Sequence, residues 1–171
     1  MNCEPAPYER IRPPSDALQR PLNLEAFAYW NRIREGRPMP ARRDLDPLDI
    51  PRLLPSILLI DVLHEPSDLR YRLVGTRWVW HFDRDDTGRL MSEIPHQAPP
   101  SLVWDACWTA VDARRPHAPD GIPYVGRRDG YGEIECVIMP MSRDGDSVNM
   151  LLISVDFTRD ATGRPWFSGK H

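Results

Sequence analysis

The stretch from Ser56 to Gly75 constrains the fold most, because two β-rich runs are joined there by a short turn signal. The first run, SILLIDVLHE, is mainly apolar, and the second, LRYRLVG, alternates Leu69, Tyr71 and Leu73 with arginines. A tight connection between two such runs predicts an antiparallel hairpin. The alternation predicts that Tyr71 and Leu73 lie on its inner face.

Helices are predicted on both sides of this hairpin. The segment from 22 to 36 is an amphipathic helix candidate, with Pro21 before it and Gly36 as its stop signal. A short helix is expected over residues 77–82. The clearest helical pattern lies in APPSLVWDACWTAVDARRP, where Ser101 is a capping residue and the apolar residues recur at helical spacing.

Three further β-rich stretches follow the long helix, between Ile122 and Thr158. In the second of them, Ile134, Cys136 and Ile138 alternate with their neighbours, as a strand with one inner face requires. Two strands, a helical insert and three strands indicate the α+β class. We therefore expect a five-stranded antiparallel sheet with helices on one face and an N-terminal amphipathic helix.

The chain of 171 residues is expected to form one domain with extensions. Residues 1–20 are predicted to be a flexible proline-rich arm, residues 21–158 the domain and residues 159–171 a polar tail. The net charge of −3 gives no basic field for nucleic acid, and no apolar run is long enough for a membrane span. Three cysteines without metal-ligand spacing predict no metal site and indicate a reducing, cytoplasmic setting.

Four segments carry a resemblance to a known family: YWNRIREGRPMPARRDLDPLDIPRLLPSILLIDV, LRYRLVGTRWV, DDTGRLMSEI and MPMSRDGDSVNMLL. Together they run from about Tyr29 to about Phe157. They resemble the PAS sensory-domain superfamily, and within it a bacterial subgroup of stand-alone, mostly uncharacterised proteins. The resemblance implies a PAS-like sheet and a sensor or interaction module in signal transduction, with no enzymatic activity of its own.

The resemblance also implies where a ligand would sit, because PAS domains hold a small molecule between the inner sheet face and the helices, or hold none. With the strand alternation and the helical stripe, it selects a set of ligand-binding candidates. Each is equally compatible with simple core packing. The candidates are Tyr71, Leu73, Trp78, Phe82, Trp104, Cys107, Trp108 and Cys136.

Two other interpretations of the sequence remain open. PAS domains often pair through a helix before the first strand, so Phe27, Trp30 and Ile33 are predicted to form a homodimer interface in a ligand-free interaction module. The alternative is that this helix packs on its own sheet. A small α+β barrel enzyme of the isomerase or hydratase type is the third interpretation, with Asp61 as its inward carboxylate.

The sequence specifies no cofactor. Haem needs an axial ligand, and the long helix offers Cys107 but no histidine, while His81 and His96 are interpreted as surface or loop residues. The cysteine motif of flavin photosensors is missing, as are phosphate-loop, HExxH and GxSxG motifs. The signal would pass to a downstream protein that the sequence does not identify.

Overall fold

The computed structural model describes residues 18–159, so almost all of the predicted N-terminal arm and C-terminal tail lies outside this range. Within it, three α-helices and five strands alternate with short 3-10 turns. In chain order they are α1 (Pro21–Ile33), β1 (Ile57–His64), β2 (Ser67–Val74), α2 (Thr76–Phe82), α3 (Leu102–Ala113), β3 (Ile122–Pro123), β4 (Tyr131–Ser142) and β5 (Val148–Arg159).

The five strands form one antiparallel sheet in the order β2-β1-β5-β4-β3. The predicted α+β class, the hairpin of β1 and β2 and the five-stranded antiparallel sheet are thus confirmed. The first and last long strands, β1 and β5, lie side by side at the centre. The helical segment between β2 and β3 is therefore free to cross one face of the sheet.

The two faces of the sheet carry different helices. On β5, Ile153 and Val155 face α2 and α3 across an internal cavity. Their neighbours face α1 instead: the Ser154 hydroxyl donates to the Asn23 side chain (2.8 Å), and Asp156 forms an ion pair with Arg20. Because successive strand residues point to opposite faces, α1 covers the face that α2 and α3 leave open.

Helix α1 packs back on the sheet of its own chain. Trp30 is completely buried, its indole N–H donates to the Pro140 carbonyl (2.9 Å), and Phe27 is only 5% exposed. The expectation that a monomer would leave Phe27, Trp30 and Ile33 uncovered is wrong for the first two, and Ile33 is half-buried against the same core. A homodimer stays a prediction, but this face of α1 is not available as its interface.

Strand β2 contains an irregularity that the sequence does not show. Leu59 pairs with Leu73 but Ile60 pairs with Tyr71, so Arg72 is an extra residue on β2. Such a bulge breaks the two-residue alternation. Tyr71 is buried on the inner face, whereas Leu73 is 42% exposed and the prediction of an inner position for it is wrong.

Candidate functional site

Within the described residues, an apolar cavity with a volume of about 260 Å³ lies between the sheet and helices α2 and α3. Strands β1, β4 and β5 supply its floor. The lining residues from these strands are Leu58, Ile134, Cys136, Ile138, Ile153 and Val155. Leu102 and Val125 also line the cavity but are 62% and 43% exposed, so the opening to solvent lies beside them.

Helix α2 places two aromatic rings over this floor. Trp78 and Phe82 are one helical turn apart, and their ring centroids lie 4.2 Å from each other. Both side chains line the cavity, as the sequence predicted. Helix α2 begins directly after Gly75, whose amide donates to the Ile57 carbonyl (2.8 Å). The start of α2 is thereby fixed against the beginning of β1.

One corner of the cavity is polar. The Tyr71 hydroxyl donates to Oε1 of Gln97 (2.7 Å), and Nε2 of Gln97 lies 3.5 Å from Nε2 of His96. All three side chains line the cavity. Burial raises the pKa of Tyr71 well above its usual range, so the phenol stays protonated and remains a donor.

Backbone contacts hold this corner in place. The backbone N–H of Gln97 donates to the Ile94 carbonyl (2.9 Å), and the Ser101 hydroxyl donates to the backbone carbonyl of Gln97 (2.7 Å). The same hydroxyl caps α3 by accepting from the Trp104 amide (3.2 Å), as expected for a serine at this position. Gln97 is therefore fixed relative to the first turn of α3.

A buried carboxylate braces the loop after α2, and the backbone of the same loop pairs with β2. Asp86 is completely buried and forms ion pairs with Arg84 and Arg89. On the same loop, Gly88 donates its amide to the Tyr71 carbonyl (2.6 Å), and the Arg89 carbonyl accepts from the Tyr71 amide (3.0 Å). The acids of DRDDTGR thus serve structure beside the cavity.

The structure brings four of the eight predicted ligand-binding residues together around the cavity: Tyr71, Trp78, Phe82 and Cys136. Leu73 is turned away by the bulge. Trp104, Cys107 and Trp108 lie outside the lining, because the first turn of α3 reaches the cavity through Leu102 and Val103.

The two tryptophans of α3 pack beside the cavity. Trp104 and Trp108 lie with their ring centroids 6.1 Å apart, and Trp108 also contacts His64. Cys107 is buried in the core below them.

Sequence reasoning missed several lining residues. The signal in β5 was available, because Ile153 and Val155 alternate there with Ser154 and Asp156, although both faces of the strand are buried. Gln97 carried no signal, since a glutamine two residues before a pair of prolines has the pattern of an ordinary loop residue. His96 lines the cavity from an exposed position at its edge.

His81 is buried rather than at the surface, which corrects the expectation for this residue. It is 1% exposed, its Nδ1 lies 2.9 Å from the Tyr124 hydroxyl, and its ring stacks on Phe157 at 3.6 Å. Burial is the main cause that lowers the pKa of His81 to about 4. The neutral ring is therefore a core side chain of an aromatic cluster.

The cysteines of the core are protonated thiols. Burial raises the pKa of Cys107 and raises that of Cys136 to about 12. A protonated, enclosed thiol is a small hydrophobic group and a poor metal or haem ligand. Within residues 18–159, no group of three or more histidine, cysteine or acidic side chains is arranged to hold a metal ion.

The enzyme interpretation loses its carboxylate. Asp61 does not line the cavity and lies 3.7 Å from Arg70 and 3.5 Å from Arg72 in ion pairs at the side of the sheet.

The architecture defines an α+β domain with an apolar cavity between an antiparallel sheet and its helices. Residues 18–96 match the family model of the PAS domain, which confirms the resemblance found in the sequence and assigns this segment to a family of sensory domains. The match includes α1, the β1–β2 hairpin and α2, and it ends at His96, one residue before Gln97.

The structure is similar to the crystal structure of a sensory box sensor histidine kinase from Vibrio cholerae, with a TM-score of 0.46 and 16% sequence identity. The similarity covers 66% of this chain and 92% of that one. No curated protein matches the chain. Among the described helices, none is both long and apolar enough to cross a membrane.

Proposed function

We propose that this protein is a sensory domain that binds a small apolar molecule in the cavity between the sheet and helices α2 and α3. The observation that carries the proposal is the cavity of about 260 Å³ with its almost entirely apolar lining. Its apolar walls are accessible to water through the opening, and a ligand that fills the cavity would remove this apolar surface from water, which is favourable.

The accessible opening supports the same proposal. Leu102 and Val125 are exposed at the rim, so a molecule entering between them would bury their apolar side chains as well. Convergent polar groups in a mostly apolar pocket are the usual form of a small-molecule site. Here they are Tyr71, His96 and Gln97.

The proposal assigns no catalytic step to the site. The ionisable groups around the cavity are a buried phenol, a buried thiol and His96, and burial raises the pKa of the first two. Groups held in this way at neutral pH are poor bases and nucleophiles. The state of the ligand would instead pass to a protein partner, which the family resemblance implies.

The test is binding of butylbenzene, a neutral apolar probe with no hydrogen-bonding group. We expect the wild-type protein to bind it, as measured by ligand-observed NMR and by an increased melting temperature. Ile153→Phe should abolish binding, because the added ring occupies the cavity while the fold is retained. Leu152→Met is the matched control, since Leu152 lies two residues from Ser154 and therefore on the α1 side of the same strand.

Failure of wild-type protein to bind butylbenzene, or equal binding by Ile153→Phe, would disprove a ligand site in the cavity. Native mass spectrometry and an absorbance spectrum of freshly purified protein would show in the same preparation whether a natural ligand co-purifies.

A further inference from the structure

The cavity wall contains no charged side chain. Its lining, drawn wholly from the described residues, has no aspartate, glutamate, lysine or arginine. The only lining residue that could acquire positive charge is His96, and burial, assisted by the nearby Arg84, lowers the pKa of its ring. A charged ligand group placed inside would be buried without a counter-ion, which is strongly unfavourable.

The polar corner has an unused hydrogen-bond donor. Oε1 of Gln97 accepts from the Tyr71 hydroxyl, which leaves the two N–H bonds of the amide nitrogen. The contact of this nitrogen is with His96, at 3.5 Å, the outer limit of a hydrogen bond. Gln97 is 3% exposed, so bulk water does not accept hydrogen bonds from its side-chain amide.

Other polar atoms of the wall are not available in the same way. The indole nitrogen of Trp78 has no hydrogen-bond partner but is fully enclosed by protein, so a ligand in the cavity does not reach it. The Cys136 thiol is a weak donor. The Gln97 amide is therefore the strongest donor that the buried wall offers.

The size of the cavity limits the ligand further. A cavity of about 150 Å³ is enough to hold benzene. The cavity of this protein, at about 260 Å³, has room for one ring and a short chain.

We propose that the ligand is a neutral, largely apolar molecule with one hydrogen-bond acceptor, such as a ketone carbonyl, that accepts from the Gln97 amide. This inference rests on the proposed function, because it concerns the ligand of the same cavity. It adds the polarity and the charge of the molecule and the residue that recognises it.

Three probes of similar size separate these properties. Butyrophenone carries a carbonyl group where butylbenzene has a methylene, and 4-phenylbutyrate carries a carboxylate. Since one hydrogen bond contributes about 1 kcal/mol, butyrophenone should bind about fivefold more tightly than butylbenzene. The carboxylate should bind more weakly than either. Dissociation constants from ligand-observed NMR measure the series.

Two variants assign the preference to Gln97. The double variant Tyr71→Phe/Gln97→Met removes both hydrogen-bond partners, which avoids leaving a buried polar group unpaired. It should lose the preference and bind butyrophenone no more tightly than butylbenzene, because the buried carbonyl then has no donor. Tyr71→Phe alone retains the amide and should retain the preference for the ketone.

A direct measurement in the wild-type protein needs no variant. The side-chain NH₂ signals of Gln97 should shift on addition of butyrophenone and shift less with butylbenzene.

The outcomes distinguish the two proposals. If butylbenzene binds in the cavity but butyrophenone has no advantage, or if 4-phenylbutyrate binds most tightly, the ligand class is wrong and the proposed function stands. An advantage that persists in the double variant, or that is lost in Tyr71→Phe alone, overturns the assignment to Gln97. If none of the three probes binds, both proposals fail.

Discussion

Gly75 shows how one residue determines the position of a helix. Its backbone has φ −64° and ψ 149°, which any residue adopts, so the glycine is not needed for an unusual turn. Space is the reason. A Cβ at this position would lie 2.7 Å from the Pro55 carbonyl carbon and 2.8 Å from the Ile57 carbonyl oxygen. Only glycine lets the chain pass this close to the start of β1.

Replacement of Gly75 by alanine should therefore be strongly destabilising. The contacting atoms belong to the backbone and cannot rotate away, so we expect the free energy of unfolding to fall by about 3 kcal/mol. Urea denaturation measures the change. Thr76→Ala, at the exposed neighbouring position, is the control and should change stability by about 0.5 kcal/mol or less. Equal effects of the two substitutions would show that the close approach is absent.

For single residues, the sequence correctly predicted which face of a strand a side chain occupies where the strand is regular, and it failed beside an irregularity. Tyr71 was placed correctly because alternation holds up to that residue. Leu73 was misplaced because the bulge at Arg72 depends on pairing with β1, and no local pattern reports such pairing. Gln97 was missed because its role depends on contact with Tyr71, 26 residues earlier.

The sequence of helix α1 shows that the helix is amphipathic, but it does not show which surface covers its apolar face. The pattern shows that one face must be covered, but it does not distinguish the chain's own sheet from a second copy. Contacts far apart in sequence decide the matter, such as Trp30 with Pro140 and Asn23 with Ser154. Helix α3 shows the same limit, since its stripe of apolar residues did not reveal which of them reach the cavity.

The docking of α1 can be tested through Trp30. Trp30→Ala removes a completely buried ring and should lower the free energy of unfolding by about 3–5 kcal/mol. Leu24→Ala is the matched control on the same helix, because Leu24 is 38% exposed, and we expect a loss of about 1 kcal/mol or less. Chemical denaturation at two protein concentrations provides the measurement. A loss that appears only at the higher protein concentration would instead indicate a dimer contact.

On the scale of the whole molecule, an aromatic cluster around His81 joins distant parts of the chain. The ring contacts Tyr124 beyond β3, Tyr131 at the start of β4 and Phe157 on β5. Arg77 and Arg128 lower the pKa of His81 further, and Asp156 opposes them. Folding therefore keeps this imidazole neutral, so the folded state excludes a proton that the unfolded chain readily accepts.

The stability of the molecule should therefore fall in mild acid. The pKa of His81 is about 4 in the folded state and 6.5 without the fold, so its contribution is fully present above pH 6.5 and is lost as the pH falls toward 4. We expect a loss of about 2 kcal/mol between pH 7.5 and pH 5 from this residue. Urea denaturation at both values should show a smaller loss in His81→Gln.

Tyr124→Phe is the control for this prediction, because it removes the hydrogen bond but leaves His81 buried. Since burial is the main cause of the lowered pKa, this variant should keep most of the pH dependence. An identical loss in wild type and His81→Gln would show that another group is responsible.

The fold as a whole was more predictable than its cavity. Element order along the chain follows from local patterns of apolar residues and turn signals, and the antiparallel sheet follows from that order. The cavity is the space left between elements, and its shape depends on how α2 and the first turn of α3 are placed over β5. No single segment of sequence encodes that space.

Strand β5 has a consequence for genetics. Ile153 and Val155 belong to the cavity, while Ser154 and Asp156 between and beside them belong to the contact with α1. Because neighbouring residues of β5 face opposite sides of the sheet, a substitution that shifts the strand on the cavity side also displaces the residues that contact α1, and the reverse. Second-site suppressors of damage in α1 and of damage in the cavity are therefore expected to converge on the same few codons of β5.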